Sequence, residues 1–190
     1  MKPHNLIIRD CTPDDAPTLL AIYSHYIENT AVTFEYDTPS IEEFRQRIDT
    51  IQAQYPYLVA ELNGHIVGYI YASVFNTRRA ARFTATTSIY IAEGHHGMGI
   101  GKTLYSALEE RLAKQGIINL IATITWVDTP NIHLTHNSPL FHLKIGFTKV
   151  GHLHRVGYKF GEWYDLLYME KQLDIKYLQA SQTDASVQTF

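Results

Sequence analysis

Between Glu93 and Glu110 the chain reads EGHHGMGIGKTLYSALEE, with four glycines in eight residues directly before an apolar helical pattern. Glycine at that density marks backbone that must turn left-handed or come close to another group. The residues before it, FTATTSIYIAE (Phe83 to Glu93), are β-prone, and Leu104, Leu108 and Leu112 follow at a spacing of four. A strand, a glycine turn and a helix in that order make an anion site. The first N–H groups of a helix lack partners and its dipole is positive there, so phosphate suits the position.

The remaining segments fall into the same two kinds of element. NLIIR (Asn5 to Arg9) is a short strand. Thr12, Pro13 and Asp15 open a helix through a capping box, with Leu19, Tyr23, Tyr26 and Ile27 on one face. Ser40 and Glu43 repeat the device ahead of Ile41, Phe44, Ile48 and Ile51. The stretch from Tyr55 to Phe75 reads as a hairpin turned at Asn63-Gly64, the dipeptide preferred by type I′ turns. INLIATITWV is a strand, and SPLFHLKIG a short helix with Ser138 as cap, Pro139 first and Gly146 at its end. Two last strands surround a loop containing Gly157 and Gly161. The order is β-α-α-β-β-β-α-β-α-β-β, without internal repeat or linker. It predicts one α/β (α+β) domain over residues 1–174, followed by a loose polar tail over 175–190.

Composition narrows the function. A net charge of -3 leaves no basic excess for nucleic acid or an anionic membrane. Cys11 stands alone, so no intrachain disulfide forms. No run approaches membrane-spanning length, and MKPHNLIIRD lacks the apolar core of a signal peptide, so a cytoplasmic protein is expected. The thirteen tyrosines serve packing or line a substrate pocket. The pairs His133/His136 and His152/His154 lack an acidic or cysteine cluster beside them in the sequence, and no metal is expected.

Two phosphate-binding patterns fail on spacing. A P-loop ending in Gly101, Lys102 and Thr103 needs glycine where His96 stands, and a dinucleotide fingerprint needs glycine where Lys102 or Leu104 stands. A third pattern, [QR]-x-x-G-x-[GA], fits HGMGIG (His96 to Gly101) except that His96 replaces Arg or Gln. YIENTAVTF, TSIYI, LFHLKIGF and GHLHRVGYKFGEWYDLLYMEK occur around it in order. On these blocks the chain, from Leu6 to about Leu173, resembles the phosphinothricin acetyltransferase branch of the GNAT superfamily.

That resemblance implies the GNAT acyl-CoA N-acyltransferase fold. Its mixed sheet has six to seven strands, carries helices on both faces and is splayed between the fourth and fifth strands. It implies acetyl-CoA as cosubstrate, no metal, and a small carboxylate-bearing amine as acceptor, an amino acid or an analogue. It leaves room for a homodimer. Backbone at Gly97, Gly99, Gly101 and Lys102, with His96 and Met98 in the same loop, would hold the pyrophosphate. Ile89, Tyr90 and Ile91 would line the pantetheine and supply an oxyanion donor. Ser138 and His142, from the short helix, would face the cofactor, with His142 as acid for the leaving thiolate. The family's glutamate base falls at Thr86, which cannot take a proton at neutral pH. Glu28 and Glu35 remain as candidates for the base; Glu28, matching a family glutamate, is expected to hold the substrate's ammonium, and whether it also takes the proton stays open, while Arg78 matches an arginine suited to a carboxylate. Phe34 and Tyr158 would wall the acceptor pocket. Ala81 stands where the family often has an aromatic residue, and the segment 125–137 is longer than usual. Two other readings stay open: an acyl-CoA-binding domain with little turnover, because of Thr86, and a P-loop nucleotide binder.

Overall fold

The structure, a computed structural model, describes residues 5–173. The tail expected over 175–190 lies outside the described residues. Along the chain run β1 (Leu6–Asp10), α1 (Ala16–Asn29), α2 (Ile41–Gln52), β2 (Tyr57–Leu62), β3 (His65–Val74), β4 (Thr84–Ile91), α3 (Ile100–Lys114), β5 (Asn119–Trp126), α4 (Asn137–Lys144), β6 (Thr148–Lys159) and β7 (Glu162–Gln172). The strands form one sheet in the order β1-β2-β3-β4-β5-β7-β6.

Local signals explain most boundaries. Thr12 gives its N–H and hydroxyl to the Asp15 carboxylate, at 2.7 and 3.0 Å, fixing a 3-10 turn ahead of α1. Ser40 and Glu43 cap α2 reciprocally. Asn63 (φ 52) and Gly64 (φ 83) make the left-handed pair of a type I′ hairpin. Two boundaries differ from the sequence reading. The N-cap of α4 is His136, not Ser138. The His136 ring stacks on Trp126 with centroids 4.0 Å apart, and this tertiary contact sets where the helix begins. Gly157 lies inside β6 opposite Tyr164, not in the loop. A Cβ there would fall 2.4 Å from the Phe34 ring, so the glycine is needed for packing.

Strand alternation sorts the core into two layers. Leu58, Ala60, Ile70 and Ala85 face α3, where Leu104, Leu108 and Leu112 are fully buried. Each of those leucines contributes roughly 1.5–3 kcal/mol by burial. Tyr57, Val59 and Tyr69 face the other way, against Leu19, Tyr23 and Ile27 of α1 and Phe44 and Ile48 of α2. Ile41, placed on the same stripe by spacing, is 44% exposed, because α2 reaches the sheet only from its second turn.

One pairing positions the site. Strands β4 and β5 are parallel, and their register runs only from Thr84↔Asn119 to Thr87↔Ala122. Beyond Thr87, β4 continues to Ile91 beside β3 alone. Likewise β5 continues to Trp126 beside β7 alone. A crevice therefore opens between their C-terminal halves, below the start of α3.

Candidate active site

The glycine loop closes the open end of the crevice. Gly97 (φ 78) and Gly99 (φ 81) both take left-handed angles, and Gly99 is the N-cap of α3. Thr103 is the first residue to return an N–H to the turn, 3.1 Å from the Gly99 carbonyl. The N–H groups of Ile100, Gly101 and Lys102 thus have no acceptor within the helix. A Cβ at Gly101 would meet the Phe141 ring at 3.0 Å and Ile89 at 3.5 Å, so a larger residue would push the helix start off the crevice wall. Lys102 and Met98 are exposed.

Main-chain direction along β4 decides which groups enter the crevice. Ala92 gives its N–H to Val67 of β3, at 2.9 Å. By alternation Ile91 and Ile89 turn theirs the other way, into the crevice, while Tyr90 turns toward β3. Tyr26, from α1, takes up both groups of Ile91: its hydroxyl donates to the carbonyl at 2.6 Å and accepts from the N–H at 3.2 Å. The same oxygen lies 3.1 Å from His96 Nε2. With its one proton on Ile91, Tyr26 accepts there and His96 donates. Ile89 keeps its N–H and carbonyl facing a gap with no strand opposite.

Below the crevice lies a buried polar chain. His142 is 3% exposed. Its Nδ1–H donates to the Ser138 carbonyl at 2.8 Å, which leaves Nε2 to accept the Tyr105 hydroxyl at 2.8 Å. Tyr105 in turn lies 3.0 Å from the hydroxyl of Thr87, the last β4 residue paired with β5.

The residues expected at the acceptor lie on α1, the segment after it, the turn before β4, β4 itself and β6. Thr86 is half-buried, in register with Ser73 and Ile121. Glu35 is held by the Tyr23 hydroxyl at 2.9 Å and by Arg47 at 2.8 Å. Glu28 is exposed and accepts from Thr38 at 3.3 Å. Phe34 packs over Gly157 beside buried Tyr164. Arg78 is exposed on the turn between β3 and β4, and Tyr158 is 50% exposed on β6.

Comparison with known proteins bears on the whole arrangement. Residues 8–168 match a family described as an acetyltransferase (GNAT) domain. The chain belongs to the GNAT acetyltransferase family. It is 37% identical over 169 residues to the phosphinothricin N-acetyltransferase of Alcaligenes faecalis, covering 88% of this chain and 81% of that one. It is 32% identical to an L-methionine sulfoximine/L-methionine sulfone acetyltransferase of Pseudomonas aeruginosa, covering 88% and 94%. Among solved structures, the phosphinothricin acetyltransferase from Sinorhizobium meliloti in complex with AcCoA superposes with a TM-score of 0.81. Identity there is 34%, over 90% of this chain and 89% of that one.

As a GNAT acetyltransferase the chain is an enzyme that moves an acetyl group from acetyl-CoA to an amino group. Its crevice fits that donor: the Gly101 cradle has no room for a side chain, and the Ile89 amide faces the opening. Among the described residues, no helix is long and apolar enough to cross a membrane.

His142 has a measurable consequence in this acetyltransferase. Burial pushes its pKa from the ordinary 6.5 down to about 4, against the Ser138 carbonyl, which favours the charged ring. The folded enzyme therefore refuses a proton that the unfolded chain accepts. Stability from this group is complete above pH 6.5 and falls as pH drops toward 4, by about 3 kcal/mol in all. Urea midpoints between pH 7 and 4.5 should fall more steeply for the wild type than for His142→Gln. Parallel declines would mean that the ring is not held neutral.

Sequence reading missed Tyr26, Tyr105, Arg47 and Lys159. Tyr26 and Tyr105 look like ordinary helix-face residues, and no spacing marks their hydroxyls. Lys159 is 3% exposed, with Nζ donating to the carbonyls of Ile27, Thr30 and Thr33 at 2.7, 2.9 and 2.9 Å. The histidine pairs also need correction. His133 stacks on Phe160 at 3.8 Å and meets the Asn29 carbonyl, as His136 stacks on Trp126. His152 and His154 do have an acidic neighbour: both reach Asp165 Oδ2, at 2.8 and 3.0 Å, from across the sheet. Lys149 Nζ lies 3.1 Å from His152 Nδ1, so that nitrogen accepts and Nε2–H donates to Asp165. This is a hydrogen-bonded cluster around the β6 bulge, where Asp165 also accepts the Arg155 N–H at 2.8 Å.

Proposed function

We propose that the acceptor is a small amine that carries a carboxylate, an amino acid or an analogue such as phosphinothricin or a methionine derivative. The observation that supports it most is the unpaired Ile89 amide in a crevice closed by the glycine loop, with Thr86 and Ser88 on the acceptor face of the same strand. The relatives named above for phosphinothricin and methionine sulfone point to the same class. Acetyl-CoA supplies the acetyl group as a thioester. The amides of Gly97, Gly99, Gly101 and Lys102 hold its phosphates, with His96 fixed beside them by its bond to Tyr26. The Ile89 N–H donates to the thioester oxygen as negative charge develops there. Arg78 pairs with the acceptor's carboxylate, Phe34 and Tyr158 wall its pocket, and Glu28 or Glu35 holds its ammonium. His142, neutral and doubly bonded, orients the Tyr105 hydroxyl rather than delivering a free proton.

No carboxylate stands at position 86, so the acceptor's proton goes either to Glu28 or to solvent; the solvent route is the one with a distinct pH signature. If its amine pKa lies about two units above ambient pH, that step costs on the order of 2.7 kcal/mol. The rate should therefore climb with pH through the acceptor's own amine pKa, and Thr86→Glu should raise it near neutrality. A flat profile, or a loss in that variant, would argue that Thr86 itself holds the acceptor. Thiol release measured across a panel of amino acids tests the whole reading. Tight coenzyme binding without release on any acceptor, at any pH, would favour the alternative of a coenzyme-binding domain with little turnover.

A further inference from the structure

Asp165 of β7 gathers two histidines from the edge strand β6. Its Oδ2 lies 2.8 Å from His152 Nε2 and 3.0 Å from His154 Nδ1. None of the roles proposed above uses these groups. Among the described residues this is the one place where three side chains able to ligate a metal converge, with their ligand atoms all within 4.8 Å of one another. Histidine pairs without a carboxylate beside them in the sequence argue against a metal; the pairing of β6 with β7 supplies the carboxylate.

The backbone fixes the cluster. Strand β6 shifts its register with β7 between Leu153 and Gly157, and Arg155 inside that bulge takes φ 52. The Arg155 N–H donates to Asp165 Oδ1 at 2.8 Å, which aims the carboxylate and leaves Oδ2 for the imidazoles. The two rings lie 4.2 Å apart, centroid to centroid. The side chains of His152 and Asp165 are 22% and 19% exposed and that of His154 is 72% exposed, so the cluster is preformed yet open to solvent on one side.

Two imidazoles and a carboxylate suit zinc and its neighbours in the first transition row, whereas calcium and magnesium take oxygen ligands. Zinc holds such ligands at about 2.0–2.2 Å, which sets tetrahedral ligand atoms about 3.4 Å apart. Oδ2 therefore draws back from each nitrogen by only about 0.5 Å to admit the ion. Three protein ligands leave a fourth position to water.

We propose that His152, His154 and Asp165 form a site for a divalent transition metal, zinc above all, that ties β6 to β7 at the bulge. To ligate, His154 shifts its proton from Nδ1 to Nε2, and His152 shifts its own from Nε2 to Nδ1. Lys149 Nζ stands 3.1 Å from that Nδ1 and carries only donors, so Lys149 opposes the metal until it swings away. The site stands independently of the acceptor class and of turnover.

Titration of the metal-stripped protein with zinc by calorimetry, and with cobalt(II) by visible absorption, tests it. The wild type should bind one equivalent of zinc at about 1 µM or tighter, and cobalt should show the intense bands of a tetrahedral site. His154→Ala removes a ligand from an exposed position, so the fold survives, and it should weaken zinc by at least about 100-fold. Lys149→Gln should do the opposite and tighten zinc by about tenfold, because a glutamine oxygen accepts the His152 Nδ1–H. Zinc should raise the thermal unfolding midpoint of the wild type and not that of His154→Ala. Absence of binding overturns the site. So does an affinity unchanged by His154→Ala, which would mark adventitious binding at other histidines, and so does weaker binding in Lys149→Gln.

Discussion

Replacing Gly99 by valine is expected to lower the affinity for acetyl-CoA by at least about 100-fold, while the protein stays folded. Gly99 sits at φ 81 as the N-cap of α3, a conformation that costs an L-residue roughly 1–2 kcal/mol, and more when the side chain is β-branched. The backbone escapes by rotating. Rotation there turns the adjacent amides away from the point they share, and each hydrogen bond to a charged phosphate is worth about 1.5–3 kcal/mol. Losing two gives the stated factor. Titration calorimetry with the coenzyme measures it directly. Gly64→Ala is the control, since Gly64 has a similar φ of 83 on the remote β2–β3 hairpin and should cost stability only. Binding within threefold of wild type in Gly99→Val would mean that main-chain amides are not the grip.

The second large effect concerns Lys159. Lys159→Met should destabilise the fold by about 3–5 kcal/mol, since each buried carbonyl left without a donor costs about 1–3 kcal/mol. The ammonium meets three carbonyls, those of Ile27, Thr30 and Thr33, and satisfies them with its three protons. Ile27 and Thr30 belong to the C-terminal end of α1, where the helix dipole is negative and a cation is favoured. Methionine fills the space and leaves all three carbonyls unpartnered. Lysine's three donors spread from one atom, whereas arginine's lie in a plane, so Lys159→Arg should not rescue. Urea unfolding gives the number, and a loss below about 1 kcal/mol would remove the anchor role. These three carbonyls define the segment that carries Glu28, Phe34 and Glu35. The variant that survives at low temperature should therefore also show a raised KM for the acceptor.

Legibility in the sequence followed locality. The element order agrees with the structure from β1 to β7 because capping boxes, the Asn63-Gly64 turn and apolar periodicity are written in neighbouring residues. The glycine loop was legible for the same reason. The start of α4 was misplaced at Ser138 because the cap is set by His136 stacking on Trp126, ten residues back along the chain. Gly157 looked like a loop glycine until Phe34, more than a hundred residues earlier in the chain, was seen to occupy its missing Cβ. The acidic neighbour of His152 and His154 was not legible, because Asp165 reaches them only through the pairing of β6 with β7.

By itself, then, the sequence determined the kind of fold and the phosphate-gripping turn, because both arise from interactions a few residues long. Only the tertiary structure decided where β4 parts from β5, which amides enter the gap, and which groups the hydroxyls of Tyr23, Tyr26 and Tyr105 bond. Those depend on strand register and on contacts such as Lys159 to Ile27, 132 residues apart, whose free energy comes from burial that no local pattern encodes.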